Sequence, residues 1–247
     1  MQGLSASQLN QVESSQGWFM KRISSLLMVL ILSLSFLAYP SFAWFDETHI
    51  TIGKAAGYAK WFLAVGADMV KEKAPKIENH NHYVNNPEGT TITPETVLDQ
   101  ASRYDQHDHG GHLYGAIIAS VRNYIKAKKA GKYAEYHLGF CLHYVGDLSQ
   151  PLHSTLYNDF NKKNHLAFDG IVNDEIMENM DRIKIYPIAI DSEEALAKEI
   201  ARVANFSMQL GYRLQKENRL LTKDEAYEQL GHSASLFKSI LTYVNAQ

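Results

Sequence analysis

Apolar residues recur every three or four positions along most of the chain after residue 44, which is the spacing of amphipathic α-helices. Strand-like alternation is scarce. Two helix starts carry capping sequences, one from Asp191 to Glu194 and one from Thr222 to Glu225. The pattern predicts helices near residues 47–73, 94–105, 111–130, 132–149, 165–182, 191–217 and 222–245. We therefore expect an all-α, multi-helix fold.

Asparagine, proline and glycine mark loops at residues 85–89, 110–111 and 158–164. None of these loops is long enough to be a domain linker. Hydrophobic residues make up 45% of the 247 residues, which is enough for a sizeable core. We expect one compact domain over residues 44–247.

Residues 20–43 have the three parts of a secretory signal peptide. Lys21 and Arg22 precede an apolar stretch over residues 26–37, and small residues stand at Ser41 and Ala43. A membrane anchor is the alternative, but this stretch is shorter than the roughly 20 residues of a spanning helix. We expect residues 1–43 to be an N-terminal extension and a cleaved signal peptide, with translation starting at Met20. The mature chain would then be secreted or periplasmic, with no stable membrane anchor.

The formal net charge is −3, so the composition does not indicate a basic groove for nucleic acid. A metal cluster could still supply local positive charge, which leaves nucleic acid possible as a substrate. Cys141 is the only cysteine, so no intramolecular disulfide can form. It lies in an apolar helical run, and we expect it to be a buried hydrophobic residue rather than a nucleophile.

Histidines and carboxylates occur together at spacings that suit metal binding. His143 and Asp147 are four residues apart and share one helix face, and His165 and Asp169 repeat this arrangement. His153 follows the helix end that Pro151 marks. One such pair is usually a surface hydrogen bond, but two pairs with a further histidine favour a metal cluster. Imidazole and carboxylate ligands suit zinc, and clustered zinc suits phosphodiester cleavage because it polarises phosphoryl oxygens and generates hydroxide near neutral pH.

Residues 143–153, read as HYVGDLSQPLH, resemble a specific signature, H-x-x-x-D-x-x-Q-P-[LM]-H. It belongs to the superfamily of the bacterial zinc-dependent phospholipases C and the eukaryotic single-strand-preferring zinc nucleases. The resemblance extends from Trp44 to about Asp169. It implies an all-helical domain around a trinuclear zinc cluster.

The resemblance also implies a ligand set. The free amino group and carbonyl of Trp44, as the first mature residue, would bind one zinc with His49, and Asp147 would bridge this zinc to a second. His82 and its neighbours resemble the nucleases' L-H-[FY]-[VI] segment, and the family places an aspartate about fourteen residues earlier. The remaining ligands would be His143, Asp68 and His82 for the second zinc, and His153, His165 and Asp169 for the third. Asp68 and Asp147 would be the catalytic carboxylates, with Asp68 orienting the nucleophile or accepting its proton.

Other histidines compete for the upstream positions. His80 lies two residues before His82, and His107, His109 and His112 lie in one polar run. The density of ligands in that run suggests a metal loop. We favour the alternative that it is a solvated loop before the helix near residue 112. His137 and His232 have no partner at ligand spacing and are expected to be structural.

Members of this superfamily differ in substrate, which is phospholipid for the phospholipases C and nucleic acid for the nucleases. The absence of disulfides and the acidic Glu47, near a position where the lipases contact choline, favour phospholipase C. Met69 after Asp68 departs from the lipase pattern, and the spacing from Trp44 to His49 is nuclease-like. We expect a phospholipase C-like phosphodiester hydrolase, and the alternative is a single-strand-preferring nuclease or 3'-nucleotidase. A non-catalytic periplasmic zinc-binding protein is a third possibility, although an open, mixed ligand set argues against it.

Overall fold

A computed structural model describes residues 44–104 and 106–247, and every regular element in these ranges is helical. The expected signal peptide and its cleavage site lie outside the described residues. The nine α-helices of the described ranges are α1 Asp46–Ala55, α2 Gly66–Lys73, α3 Pro75–Glu78, α4 Pro94–Arg103, α5 Leu113–Lys129, α6 Glu135–Ser149, α7 Asp159–Asp169, α8 Glu193–Glu217 and α9 Lys223–Asn245. Short 3-10 helices lie at Trp61–Val65, Asn79–Asn81, Pro151–Ser154 and Met180–Arg182.

Helix α6 is the centre of the fold. It packs against α5, α8, α9, α1, α2 and the 3-10 helix at Trp61–Val65. Most of its apolar side chains are fully or almost fully buried, and each buried leucine contributes about 1.5–3 kcal/mol relative to an exposed one. These side chains include Leu138, Leu142, Val145 and Leu148. Helix α6 therefore presents any polar side chain on its inner faces to the interior of the domain.

The predicted helix over residues 47–73 is interrupted. Gly57 adopts a positive φ of 80° just after α1, a conformation that ends helices and that favours glycine. The chain then forms the 3-10 helix at Trp61–Val65 and resumes as α2 at Gly66. This break separates the segment that carries His49 from the one that carries Asp68, so each can approach α6 from its own direction.

The predicted loop at residues 158–164 is wrong. Helix α7 begins there, because the Asn158 side chain accepts a hydrogen bond from the backbone N–H of Asn161 and caps the helix. The helix ends at Asp169, and turns followed by the 3-10 helix at Met180–Arg182 replace the rest of the helix predicted to residue 182. The other predicted helices begin and end within three residues of the observed ones. The capping box at Thr222 and Glu225 is confirmed, and so is the helix start within residues 191–194, where the Ser192 side chain accepts a hydrogen bond from the Ala195 N–H.

The described residues form one compact unit with a continuous hydrophobic core. Cys141 is completely buried, and burial raises the pKa of its thiol, as expected for a small core residue. Among the described helices, none combines the length and apolar character needed to span a bilayer.

Gly115, the third residue of α5, allows α5 to contact the backbone of α4. A Cβ atom at this position would lie 2.3 Å from the Gln100 carbonyl carbon and 2.5 Å from the Ala101 nitrogen. We expect Gly115→Ala to lower the free energy of unfolding of the metal-free protein by about 1–3 kcal/mol, because backbone atoms must move. Urea denaturation measures this change.

Gly66→Ala is the matched control, since a Cβ there would lie 3.5 Å from a Phe140 ring carbon, an ordinary contact. This control should be neutral or slightly stabilising. A Gly115→Ala protein as stable as the control would show that the two helices are not held this closely.

Candidate metal centre

His143 and Asp147 lie one turn apart on α6, and neither has any solvent exposure. The His143 Nε2 atom is 3.4 Å from the Asp147 Oδ2 atom. His49 of α1 stacks on the His143 ring at a centroid separation of 3.9 Å, with its Nε2 atom 3.4 Å from Asp147 Oδ1. We call His49, His143 and Asp147 the first group.

The second group consists of Asp68, His82 and His143. His82 Nδ1 is 2.9 Å from Asp147 Oδ2 and 3.2 Å from His143 Nε2. Asp68 Oδ1 lies 3.6 Å from His143 Nε2 and 3.9 Å from His82 Nδ1. Asp147 thus contacts His82 through one oxygen and His49 through the other, which is the placement of a carboxylate that can bridge two ions.

The third group consists of His153, His165 and Asp169, from the 3-10 helix after α6 and from α7. The Nε2 atoms of the two histidines are 3.1 Å apart, and His165 Nε2 is 3.5 Å from Asp169 Oδ2. His153 Nδ1 lies 3.9 Å from Asp147 Oδ1. The third group therefore adjoins the other two at Asp147.

Hydrogen bonds on the outer ring nitrogens orient three of these imidazoles. Nδ1 of His143 donates to the Ala64 carbonyl at 3.0 Å, and Nδ1 of His153 donates to the His82 carbonyl at 2.6 Å. Nδ1 of His165 donates to Asn161 Oδ1 at 2.7 Å. With the proton on Nδ1, each Nε2 lone pair points into the centre, an arrangement found around protein-bound metals.

The protonation states suit cation binding. Burial, together with nearby His49, holds the pKa of His143 well below its usual value, and burial lowers the pKa of His153 to about 4. Burial alone would raise the pKa of Asp147, but the imidazoles of His143 and His153 hold it well below its usual value. Burial raises the pKa of Asp169 well above its usual value. A bound cation would stabilise the Asp169 carboxylate and so offset the free-energy cost of burying its charge.

The distances within the groups fit zinc. Tetrahedral zinc with bonds of about 2.0–2.1 Å sets its ligand atoms about 3.3 Å apart. The separations given above range from 2.9 to 3.9 Å. Each group also contains a buried ligand atom with no hydrogen-bond partner, and buried polar atoms are rarely left unpaired. These atoms are His49 Nε2, Asp68 Oδ1, Asp147 Oδ1 and Asp169 Oδ2.

The structure brings together all eight His and Asp side chains that are expected to bind metal. Trp44 is completely buried, and the N–H of the next residue, Phe45, donates to the Asp169 carbonyl at 3.4 Å. Glu47 is exposed in the first turn of α1 and lies about 200° around that helix from the buried His49. The neighbouring Asp46 is also exposed, and the partial burial of its carboxyl group and then the charge of Asp68 raise its pKa.

Sequence reasoning missed the residues that support the ligands. Asn161, Glu78 and Gln150 contact His165, His82 and Asp169 respectively. Asn161 and Glu78 each lie four residues before the histidine they contact, so helical spacing was an available signal. His80, His107, His109 and His112 are not part of the three groups.

A family model described as S1/P1 Nuclease matches residues 54–228. The chain belongs to the S1/P1 nuclease family. This family is part of the superfamily that the 143–153 signature indicates, so that resemblance is confirmed. Family membership identifies a zinc-dependent phosphodiester hydrolase at the level of the superfamily. No protein in the curated set matches the chain.

Asp147 allows a direct test of metal binding in this S1/P1 family protein. We expect about three zinc ions per mature chain, and Asp147→Asn should lose at least one of them because the amide cannot bridge two cations. Elemental analysis of protein purified without added metal gives the count.

His137→Asn is the control, because His137 lies on the same helix and packs on Tyr136 rather than on any group of the centre. It should keep the full metal content. Equal metal contents in the two variants, or one ion or fewer in the unsubstituted protein, would contradict this assignment.

Proposed function

We propose that this chain is an exported, zinc-dependent phosphodiesterase that cleaves single-stranded nucleic acid. The observation that carries the proposal is the match to the S1/P1 Nuclease model over a chain whose three His/Asp groups converge on Asp147. When bound, zinc would polarise the phosphoryl oxygens of the substrate and lower the pKa of water. The bridging position of Asp147 supports a binding role that joins the first and second groups.

Asp68 is the candidate proton acceptor. Its side chain is mostly buried, and Oδ1 has no hydrogen-bond partner. Burial raises its pKa, with His82 and Lys71 acting in the opposite direction. A carboxylate with a raised pKa is a better base, so Asp68 can take a proton from the attacking nucleophile or hold it in line.

Lys71 supplies positive charge at the centre. Its Nζ atom lies 4.0 Å from Asp68 Oδ1, and its side chain is only 12% exposed. Phosphodiesters and the transition state for their cleavage carry negative charge, which a partly buried ammonium group stabilises better than an exposed one. We assign Lys71 to binding the substrate phosphate.

Replacing Lys71 tests this assignment and the substrate together. Lys71→Met should lower kcat/KM on single-stranded DNA by about 100-fold. The substitution removes a positive charge that would stabilise the negatively charged transition state, while keeping most of the side-chain volume. Lys73→Met is the matched control, since Lys73 is exposed at the end of the same helix and should have little effect. Initial rates with and without chelator measure both variants.

Phospholipid is the second candidate substrate. Apolar side chains are exposed on the segment that carries Asp68 and Glu78, and they could enter a lipid surface. These side chains are Phe62, Met69, Val70 and Ile77. The same preparations should therefore be assayed on phosphatidylcholine and phosphatidylethanolamine. Release of phosphorylated head group without cleavage of DNA would overturn the nuclease proposal.

We further propose that the chain is exported and cleaved after Ala43, which leaves Trp44 with a free amino group. A free amino group at Trp44 could bind the first-group zinc together with His49, whereas any preceding residue converts that amine into an amide, a very poor ligand at neutral pH. We expect a protein that retains Met before Trp44 to lose that zinc and most turnover, with unchanged helical content by circular dichroism. Cleavage of a tag that leaves Trp44 free should restore both.

Two results would contradict the role of Trp44. One is N-terminal sequencing of exported protein that finds a different first residue. The other is full activity and full metal content in the protein with Met before Trp44.

A further inference from the structure

A second set of imidazoles lies outside the three groups and has no role in the proposed function. The ring centroids of His80 and His107 are 4.8 Å apart, those of His107 and His109 are 4.8 Å apart, and those of His80 and His109 are 5.9 Å apart. His80 is almost fully buried, whereas His107 and His109 are exposed. We call these three residues the outer histidine cluster.

Backbone hydrogen bonds fix the loop of His107 and His109 to the segment of His80. The His112 N–H donates to the His80 carbonyl at 2.6 Å, and the Asn85 N–H donates to the Gly110 carbonyl at 2.8 Å. Gly111 makes this contact possible, because a Cβ atom there would lie 2.0 Å from the Tyr83 carbonyl oxygen. The three histidines are therefore held together by the backbone rather than by their own side chains.

The ring separations fit ligation of one ion. An ion bound about 2.0–2.1 Å from a ring nitrogen lies about 3.2 Å from the ring centre, which sets tetrahedrally arranged rings about 5 Å apart. Two observed separations are 4.8 Å and the third is 5.9 Å. Among the described residues, ligand atoms converge within 4.8 Å only in the three groups of the centre. The exposed rings of His107 and His109 must therefore rotate on binding, as surface side chains do readily.

Neighbouring groups favour a cation here. The Tyr83 hydroxyl lies 3.0 Å from His80 Nδ1, and if His80 donates this hydrogen bond its Nε2 atom keeps a lone pair for a metal. Asp108, between the two exposed histidines, adds negative charge, although Arg103 pairs with it at 2.9 Å. His112 adds a fully buried Nδ1 atom without a hydrogen-bond partner, with its ring centroid 6.5 Å from that of His80.

We propose that His80, His107 and His109 form a fourth metal site, separate from the three groups and open to solvent. Three imidazoles without a thiolate suit Zn²⁺ and Cu²⁺ rather than Mg²⁺ or Ca²⁺, which prefer oxygen ligands. The site binds its ion more weakly than the buried groups, because water completes its coordination and two of its ligands must be ordered on binding.

Zinc binding by the full mature protein, already loaded at the three groups, tests the site. Equilibrium dialysis against micromolar Zn²⁺ should show one more ion in the unsubstituted protein than in His107→Asn/His109→Asn. The affinity for that ion should fall by more than about 100-fold, since both substitutions remove ligands themselves rather than supporting partners. Both replaced side chains are exposed, so the variant should keep its helical content and its hydrolytic activity.

His137→Asn is the matched control and should retain the additional ion. Cu²⁺ added to the loaded protein should give an electron paramagnetic resonance spectrum with splitting from imidazole nitrogens, which the double variant loses. Equal zinc binding by the unsubstituted protein and the double variant, or loss of the additional ion in His137→Asn, would overturn the proposal. Because the readout is bound metal, failure of this site is distinguishable from failure of the proposed nuclease activity.

Discussion

A carboxylate without any solvent exposure requires compensating charge or hydrogen-bond donors, and Asp147 lies in that situation at the centre of the fold. Helix α6 carries it inward, and the elements around α6 bring imidazoles to both of its oxygens. His49 approaches one oxygen from α1, and His82 approaches the other from the segment after α3. The helix packing that buries Asp147 is therefore the same packing that brings the ligands of the candidate metal centre together.

This coupling explains why His143 and His153 remain neutral inside the domain. Burial disfavours the imidazolium form, and outer hydrogen bonds to backbone or amide oxygens fix the remaining proton on the outer nitrogen. The Ala64 carbonyl does this for His143 and the His82 carbonyl does it for His153. A ligand residue of one group thus orients a ligand of another through its backbone, so the groups are mechanically linked as well as adjacent.

Local spacing predicted the parts of the centre that lie on one helix. The pairs His143 with Asp147 and His165 with Asp169 follow directly from four-residue periodicity. Asp68 and His82 required the resemblance to known enzymes, because the short helix α3 and the 3-10 helix at Asn79–Asn81 separate them and no single helical period relates them. The start of α7 was missed since its polar first turn reads as a loop until the Asn158 cap is known. Support by Ala64 could not be foreseen, because a backbone carbonyl has no sequence signature.

At Gly146, helix stability and the packing of the candidate metal centre favour different residues. It lies in the last turn of α6, where alanine would favour the helix by up to about 1 kcal/mol. A Cβ atom there would nevertheless lie 2.4 Å from Nδ1 of His49 and would force apart the stacked rings of His49 and His143. A search for thermostable variants by helix propensity alone would select Gly146→Ala, although that substitution would disrupt the candidate metal centre. Glycine at this position thus lowers helix stability but leaves the space that the stacked histidine rings need.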